Sequence, residues 1–239
     1  GGEDNQIIGT GGNATLIAKV GGSTGDIYGF GFVRSPDGQI IYGTNGLPVR
    51  PTDIQYIGSA FADWKGGIQN EFRYRDFRFS FLFDASYGGI IYSQTHHKMT
   101  EQGKLKHTLL GREDNFIIGN GVVDEGGGRY NANTKKVLPV EYYTEYYRRA
   151  NVEANSFDAT YLKLREARIE YSLPKSLLGK SFIRQATFAL YGRDLLLFTS
   201  FPIFDPETAA LNGSTLLPGV EMGQLPSTRT MGVNLTLKF

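Results

Sequence analysis

Apolar and polar residues alternate at the C-terminal end of the chain. The residues between the apolar positions, from Thr230 to Lys238, are small or polar. Because successive side chains of a β-strand point to opposite faces, this period of two predicts a strand with one apolar and one polar face. The apolar positions are Met231, Val233, Leu235, Leu237 and Phe239.

Two further alternating runs lie on either side of Arg75 and Asp76. In the second run the intervening positions are polar except at Leu82. Two residues between alternating runs are the length of a tight hairpin turn, so the pattern predicts a β-hairpin. The apolar positions are Ile68, Phe72 and Tyr74 in the first run and Phe77, Phe79, Phe81, Phe83, Ala85 and Tyr87 in the second.

Two longer strands are predicted at residues 162–173 and 183–198. The apolar parity of the first strand changes near Arg165, which predicts a β-bulge. Asp194 interrupts the apolar parity of the second strand, as is expected near a rim of the sheet. Residues 174–181 contain Pro and Gly and are interpreted as the turn between the two strands.

The connections between these strands alternate between short and long. The turns at 75–76 and 174–181 are short, whereas the connections at 88–156 and 200–228 are long. Structureless loops of that length are uncommon in compact soluble domains. Outer-membrane barrels combine short periplasmic turns with long extracellular loops. If the C-terminus is periplasmic, both short turns fall on the periplasmic side and both long loops fall outside.

The predicted fold is all-β: an antiparallel, transmembrane β-barrel segment with long extracellular loops. Residues 1–65 are rich in Gly, Asp and Asn and are interpreted as loop, with one leading strand near residues 13–20. Five strands cannot close a barrel, because the smallest membrane barrels have eight and an open edge in lipid leaves backbone groups unpaired. We therefore expect residues 1–239 to be one part of a larger barrel, with no internal domain boundary.

Composition narrows the classes of function. The 239-residue chain has a net charge of +1, which argues against a nucleic-acid partner, because phosphates are neutralised by a basic surface. The absence of cysteine excludes disulfides, thiol catalysis and cysteine-bound metals. Leu195–Phe198 is typical of the longest apolar runs, so membrane helices are excluded but membrane strands are not. The first residues show no signal peptide.

The sequence contains no motif for catalysis or for a cofactor. A nucleophile elbow, a phosphate loop, a dinucleotide fingerprint and the zinc-protease motif are all absent. We therefore expect no enzyme activity, no cofactor and no metal. The histidines are interpreted as solvated loop residues, and three acidic residues as a plain acidic loop without the spacing of a calcium site. These residues are His96, His97 and His107, and Asp114, Asp124 and Glu125.

Three groups of residues allow more than one interpretation. Glu166 and Glu170 flank Arg168, and carboxylates two positions apart on a strand lie roughly 7 Å apart, as in some glycosidases. A hydrated barrel lumen explains the same charges and is favoured. Trp64 suits packing at the barrel rim or a sugar platform. Four tyrosines suit sugar stacking as well as a membrane interface or a loop core: Tyr142, Tyr143, Tyr146 and Tyr147.

Longer motifs in the chain resemble those of one protein family. FDATYLKLREARIEYSLPKSLL at 157–178 resembles a late barrel strand of that family. LYGRDLLLFTSF at 190–201 resembles the following strand, with Asp194 where the family usually has Asn. DPE at 205–207 and PSTRTMGVNLTLKF at 226–239 resemble the closing loop and the final strand.

Upstream motifs extend the resemblance. GGIQNEFRYRDFRFSFLFDASYGG at 66–89 resembles a hairpin of the family, with Arg75 in place of the usual Lys, and GRE at 111–113 also fits. The matches follow the family order from Asp26 to Phe239. Their order, rather than any single motif, makes the resemblance specific. The family that these motifs resemble is the SusC/RagA family of TonB-linked outer-membrane proteins.

The resemblance implies that residues 1–239 are the C-terminal barrel portion of an importer whose plug domain and TonB-contacting segment lie outside this chain. It implies outer-membrane import of oligosaccharides or peptides, driven by the TonB system, with a SusD-like surface lipoprotein as partner and the lipid bilayer around the barrel. Phe239 is expected to act as the barrel-terminal assembly signal. The residues expected to contact substrate or partner are Trp64, Arg168, Asp205 and Glu207.

The alternative function is that of a secreted β-rich protein that binds or hydrolyses glycans. Such a protein would pack its aromatic faces against each other in a core. A barrel would expose the same faces to lipid. The burial of the apolar stripes therefore distinguishes the two hypotheses.

Overall fold

A computed structural model describes residues 5–179, 181–212 and 215–239. The chain is all-β, as predicted. The strands are, in chain order, β1 (Asn5–Gly11), β2 (Ala14–Lys19), β3 (Asp26–Gly29), β4 (Ile41–Tyr42), β5 (Gln55–Ser59), β6 (Trp64–Tyr74), β7 (Phe77–Tyr87), β8 (Ile90–Ser93), β9 (Ile117–Ile118), β10 (Val122–Asp124), β11 (Tyr130–Ala132), β12 (Lys136–Val137), β13 (Ser156–Asp158), β14 (Tyr161–Ser172), β15 (Gln185–Thr199), β16 (Ala210–Asn212), β17 (Thr215–Leu217), β18 (Val220–Glu221) and β19 (Thr230–Lys238).

Short helices lie between some of the strands. They are α1 (Gln94–Glu101), a 3-10 helix (Lys106–Leu109), α2 (Pro139–Tyr146) and α3 (Lys175–Leu178). Helix α1 begins after Ser93, whose hydroxyl accepts a hydrogen bond from the His96 N–H, and α2 begins with a proline, which lacks the N–H that a first turn leaves unpaired. Within the described ranges, no helix is both long enough and apolar enough to cross a membrane.

The chain divides into two compact units. The first, which we call the mixed unit, comprises the residues up to Phe61 together with Gly89–Asp158 and Phe201–Gln224. The second, which we call the sheet unit, comprises Ala62–Gly88, Ala159–Ser200 and Leu225–Phe239. Each unit is described by itself below.

The sheet unit is one antiparallel five-stranded sheet in the order β19–β15–β14–β7–β6. These are the five strands that the alternating pattern predicts. They are also the longest in the described chain, from 9 residues in β19 to 15 in β15. A tilted strand of about 9–11 residues crosses the apolar layer of a bilayer, so all five are long enough to do so.

Both short connections form at one end of this sheet. Tyr74 pairs with Phe77 across the two-residue turn, and Arg75 has a φ of 52°. Such a positive φ is uncommon outside glycine and is tolerated here at a hairpin tip, where the Arg75 guanidinium lies 5.3 Å from the centre of the Tyr74 ring. The connection between β14 and β15 contains α3, and its residue Lys180 lies outside the described residues.

The predicted bulge is present in β14. Against β7, Leu164 pairs with Phe83 and Glu166 with Leu82, which leaves Arg165 as the additional residue. Against β15, Leu164 pairs with Leu196 and Glu166 with Arg193, so Arg165 faces two residues and the additional residue there belongs to β15. The guanidinium of Arg165 lies 2.6 Å from Asp84 on β7 and 3.6 Å from Asp194 on β15. The Arg165 guanidinium at the bulge therefore links β14 to both of its neighbouring strands.

Both edges of the five-stranded sheet are unpaired within the described part of the chain. At one edge, β19 pairs with β15 from Thr230 opposite Arg193 to Lys238 opposite Gln185, which confirms the predicted neighbour of the last strand. At the other edge is β6. Each edge presents a row of unpaired backbone groups, as predicted for a piece of a larger barrel.

The described residues of the mixed unit form five small sheets. The largest has the order β1–β2–β3–β5, and β8 lies between β13 and β18 in another. Side chains from all three segments of the unit meet in one core, which consists of Ala14, Leu16, Ile27, Tyr92, Val152, Ala210, Leu217 and Val220.

The prediction of unstructured loops was wrong for the mixed unit. Among the described residues, 1–65 hold five strands before β6. The expected strand near 13–20 is present as β2, and the other four were not predicted. The connections at 88–156 and 200–228 also contain strands and core residues, with 213–214 outside the described residues. Most strands of the mixed unit have two to four residues, which is too short to produce a readable alternation.

Candidate functional site

One face of the five-stranded sheet is apolar and exposed. Across one row, Phe72 pairs with Phe79, Phe79 with Ile169, Ile169 with Leu190, and Leu190 with Val233. Exposure in this row reaches 67% at Val233 and is still 41% at Phe79. The predicted apolar stripes therefore lie on an open face instead of packing into a core, contrary to what the secreted alternative requires.

The opposite face carries a line of ion pairs, which we call the charge ladder. Glu71 lies 3.0 Å from Arg73 and 2.9 Å from Arg78. Arg78 also approaches Glu170 at 3.5 Å, and Glu170 lies 2.5 Å from Arg168. The ladder crosses β6, β7 and β14, so charges of both signs follow one another along this wall.

The carboxylates on this face are paired with cations. Glu166 lies 3.6 Å from Arg193, and Glu170 has Arg78 and Arg168 as partners. A glycosidase needs two carboxyl groups that face a bound sugar from opposite sides. Carboxylates engaged with arginines across a flat wall do not provide that geometry, so the pattern fits a hydrated wall better than a catalytic pair.

Aromatic pairs mark both ends of the apolar face on the first hairpin. At one end Trp64 stacks on Tyr87, with ring centres 6.1 Å apart. At the other end Phe77 lies 4.7 Å from Tyr171, opposite Tyr74. The ten positions between Trp64 and Tyr74 span roughly 34 Å along a strand. At a strand tilt of about 40°, this length corresponds to a height of about 26 Å across the bilayer. The apolar band between the aromatic girdles of outer-membrane barrels is about 25 Å tall, so the two heights agree.

Two predicted contact residues fall on different faces of the sheet. Arg168 lies on the charged face at the end of the ladder, as a substrate contact would require. Trp64 shares the parity of Ile68 and Phe72 and stacks on Tyr87, so it belongs to the apolar face. Its position favours packing at the rim over the sugar platform.

The other two predicted contacts lie in the mixed unit. Asp205 is only 3% exposed, and its carboxylate accepts a hydrogen bond from the Glu207 N–H at 3.0 Å. Its position suits shaping this loop, and its burial does not fit a direct contact with substrate or partner. Glu207 is exposed and stays a predicted contact.

The C-terminal aromatic ring has a neighbour that the sequence does not indicate. Phe239 stacks on Phe182, with ring centres 5.5 Å apart and planes 15° apart. The Arg184 N–H donates to the Lys238 carbonyl at 2.7 Å, which holds the end of β19 beside the start of β15. The assembly role of Phe239 stays a prediction, and Phe182 is the residue positioned to support it.

The interpretation of the histidines as solvated loop residues was wrong. His96 and His97 lie on α1 and are buried, and the His96 ring stacks on the His107 ring at 5.1 Å. A ring nitrogen of His96 lies 2.9 Å from the Asn155 side-chain oxygen. Burial lowers the pKa of His96 to about 4 and also lowers the pKa values of His97 and His107. The sequence feature that could have predicted helix α1 is Ser93, the capping residue at its N-terminus.

The tyrosine cluster packs against the histidines within the mixed unit. The Tyr143 hydroxyl donates to the His107 carbonyl at 2.7 Å, and Tyr142 stacks on Tyr146 at 5.2 Å. Tyr147 lies 5.2 Å from His96. Of the interpretations that the sequence left open, the loop core fits this packing best.

The acidic loop is a glycine turn between β10 and β11. The Asp124 carboxylate accepts a hydrogen bond from the Gly126 N–H at 2.7 Å. Across the ranges that the structure describes, no three His, Asp or Glu side chains are grouped so that they could hold a metal ion.

A sheet with an exposed apolar face, a charged face and two open edges defines the wall of a membrane barrel. No family model matches the chain. The chain is 28% identical over 213 residues to TonB-dependent receptor P3 of Formosa agariphila, covering 85% of this chain and 19% of that protein. It is 26% identical over 194 residues to TonB-dependent receptor P26 of the same organism, covering 78% of this chain and 18% of that protein.

Solved structures share the fold. The whole chain aligns with 25% of a chain from the RagAB peptide importer in its closed-closed state, with a TM-score of 0.65 and 18% identity. In the open-open state the TM-score is 0.62 at 17% identity, over 24% of that chain.

These relatives confirm the predicted resemblance to SusC/RagA-type TonB-dependent receptors, in sequence to the receptors and in fold to the RagAB importer. The chain spans about a fifth of the length of the curated relatives it matches.

Proposed function

We propose that the chain is the C-terminal barrel part of an outer-membrane importer of oligosaccharides or peptides. The observation that carries the proposal is the two-faced sheet with open edges. Its apolar face is expected to lie in lipid, and its charged face to line a hydrated passage. Guided passage needs no covalent chemistry, in keeping with a transporter rather than an enzyme.

The charge ladder supports the proposal that this face lines a water-filled barrel lumen. Charged side chains at the middle of a bilayer are costly unless they face water or a partner charge. Along β6, β7 and β14 the arginines and carboxylates share one face, away from the apolar rows. We expect Arg168 to contact polar groups of a passing substrate, whether they belong to a sugar or to a peptide.

The import function is tested in cells that carry the full-length protein. We expect the protein to fractionate with outer membranes, and its deletion to abolish uptake of either a labelled oligosaccharide or a labelled peptide mixture. The substrate class is that of the labelled compound whose uptake is lost. A protein recovered from the medium, or unchanged uptake of both labels, would contradict the proposal.

We propose a SusD-like surface lipoprotein as the partner of the segments at 88–156 and 200–228. Their length and the likeness to the RagAB importer support this pairing. Removing 200–228 would also remove the buried residues Leu217 and Val220, so a surface change is a sharper test than a deletion.

Leu216 is suited to that test because it is 63% exposed on β17. We expect Leu216→Asp to reduce recovery of the lipoprotein in a pull-down with the full-length barrel. The matched control is Leu177→Asp, which changes a 69% exposed leucine on the short connection expected in the periplasm. Equal recovery with both variants would contradict the role given to this loop.

The topology proposal places the C-terminus in the periplasm and the plug and TonB-contacting segment outside residues 1–239. The short connections at one end of the sheet support this orientation. Deleting Phe239 should lower the amount of assembled barrel while synthesis is unchanged, and Phe182→Ala should lower it in the same direction. Normal assembly of the Phe239 deletion would refute the signal role.

A further inference from the structure

A groove interrupts the apolar face of the sheet. It encloses about 520 Å³. Ala167 on β14 and Gly192 on β15 form its floor and pair with each other across the two strands. Its walls are large apolar side chains, among them Phe79, Leu190, Leu195 and Met231.

The groove exists because small residues stand side by side among large ones. Gly192 pairs with Ala167 on one side and with Met231 on the other. A Cβ at Gly192 would lie 2.5 Å from a Leu195 methyl group, so the Leu195 side chain lies over the glycine on this same face. Leu195 therefore closes the end of the depression above Gly192, and Ala167 leaves the remaining floor without side-chain bulk.

The depth of the groove determines what can fill it. Ala167 is seventh among the twelve residues of β14, and Gly192 is eighth among the fifteen of β15. Between the two aromatic girdles, the middle of a strand lies roughly 12 Å from either interface of the bilayer. At that depth the surroundings are hydrocarbon, so lipid headgroups cannot reach the groove but acyl chains can.

We propose that this groove seats one acyl chain of a membrane lipid, which exchanges more slowly than the lipids on the rest of the face. An unfilled depression would leave its walls without partner atoms and forfeit their dispersion contacts. Its volume falls within the range of about 300–1,000 Å³ typical of ligand sites. The inference rests on the proposed function, because it requires the apolar face to be in lipid.

The test uses the full-length protein in phosphatidylcholine vesicles that contain a small fraction of phosphatidylcholine with a photoreactive diazirine in the middle of one acyl chain. After illumination, adducts are mapped to residues by mass spectrometry. We expect adducts to concentrate on Leu195 and Met231 over Leu235, which lies on the same face outside the groove. Ala167→Leu, which fills the floor, should reduce the groove adducts severalfold.

The matched control is Ala85→Leu, the same change on the same face outside the groove, which should leave the adduct pattern unchanged. Even labelling along the whole apolar face would overturn the acyl seat while leaving the membrane location intact. A complete absence of adducts on this face would instead contradict the proposed function. Cross-links between two copies of the barrel through the groove would also overturn the proposal, because the occupant would then be protein.

Discussion

At the scale of single residues, burial changes the chemistry that the sequence suggests. Adjacent histidines in a polar stretch are usually solvated, yet His96 and His97 are packed against α2 and the segment that follows it. The sequence gives no signal for that packing beyond the capping residue Ser93, because the contacts come from residues about fifty positions away. The reverse holds for Arg168, whose position on the polar face follows directly from the period of two.

The buried His96 predicts acid sensitivity in the mixed unit. Its folded-state pKa of about 4 is lower than its ordinary value of 6.5, so the unfolded state binds more protons. Stability is therefore lost as the pH falls from about 6.5 towards 4, by about 3 kcal/mol at the lower limit. Hydrogen exchange of the α1 amides, corrected for intrinsic rates, should speed up over this range.

His96→Gln provides the comparison, because glutamine can hydrogen-bond to Asn155 without titrating in this range. The variant should show a weaker dependence of α1 exchange on pH. An unchanged dependence would mean that a different group is responsible.

Leu235 tests the apolar face at a single position. It is the central residue of the five apolar positions of the last strand and is exposed. Leu235→Arg should destabilise the barrel by roughly 2–4 kcal/mol if the side chain lies near the middle of the bilayer. Urea unfolding of the full-length protein in vesicles measures this change. Asn234→Arg, one residue away on the polar face, should cost much less, and equal costs would contradict the assignment of faces.

At the scale of elements, length decides what can be predicted. The five strands of 9 to 15 residues repeat their pattern often enough to be predicted, including the parity change at Arg165. The strands of the mixed unit contain 2 to 7 residues and pair with distant segments, as β8 does with β13 and β18. Their pairing depends on contacts between distant segments, which a local sequence pattern cannot predict. The sequence of this part of the chain therefore resembles that of loops.

The bulge in β14 should depend on its cation. Arg165→Met would leave Asp84 and Asp194 without the guanidinium between them, and we expect a loss of about 1.5–3 kcal/mol, the range for hydrogen bonds to charged groups. Urea unfolding in vesicles measures it. Arg193→Met is the control: its ion pair with Glu166 is 3.6 Å long and more exposed, so the loss should stay below about 1 kcal/mol. Equal losses would show that the bulge does not need this contact.

A buried carboxylate joins β18 to the start of α1. Glu221 is 1% exposed and accepts hydrogen bonds from the hydroxyls of Ser93 at 2.5 Å and Thr95 at 2.6 Å. Glu221→Ala would remove the acceptor for the Ser93 and Thr95 hydroxyl protons. A buried donor left without an acceptor costs about 1–3 kcal/mol. Limited proteolysis should then cut segment 201–224 faster. Glu207→Ala, an exposed glutamate of the same segment, should not change the cleavage rate, and equal acceleration would contradict the anchoring role.

At the scale of the whole molecule, the functional proposal rests on the sheet unit, which the sequence predicts. The compact fold of the mixed unit was not predicted. Amphipathic strands, short turns and open edges were all predictable, because each follows from a period of two and from the cost of unpaired backbone in lipid. The compact organisation of the connecting segments was not, since its core brings together Leu16, Tyr92 and Leu217 from three distant parts of the chain.

The most direct test of the barrel wall is a single-cysteine scan of β19 in the full-length protein, after any other cysteines have been replaced; residues 1–239 contain none. In outer membranes, a water-soluble maleimide entering through the lumen should label cysteines at Asn234 and Thr236 but not at Val233, Leu235 or Leu237. A lipid-soluble maleimide should give the reverse pattern. This alternation is the result expected of a strand between lipid and water. Equal labelling of all five positions by the water-soluble reagent would contradict the membrane wall.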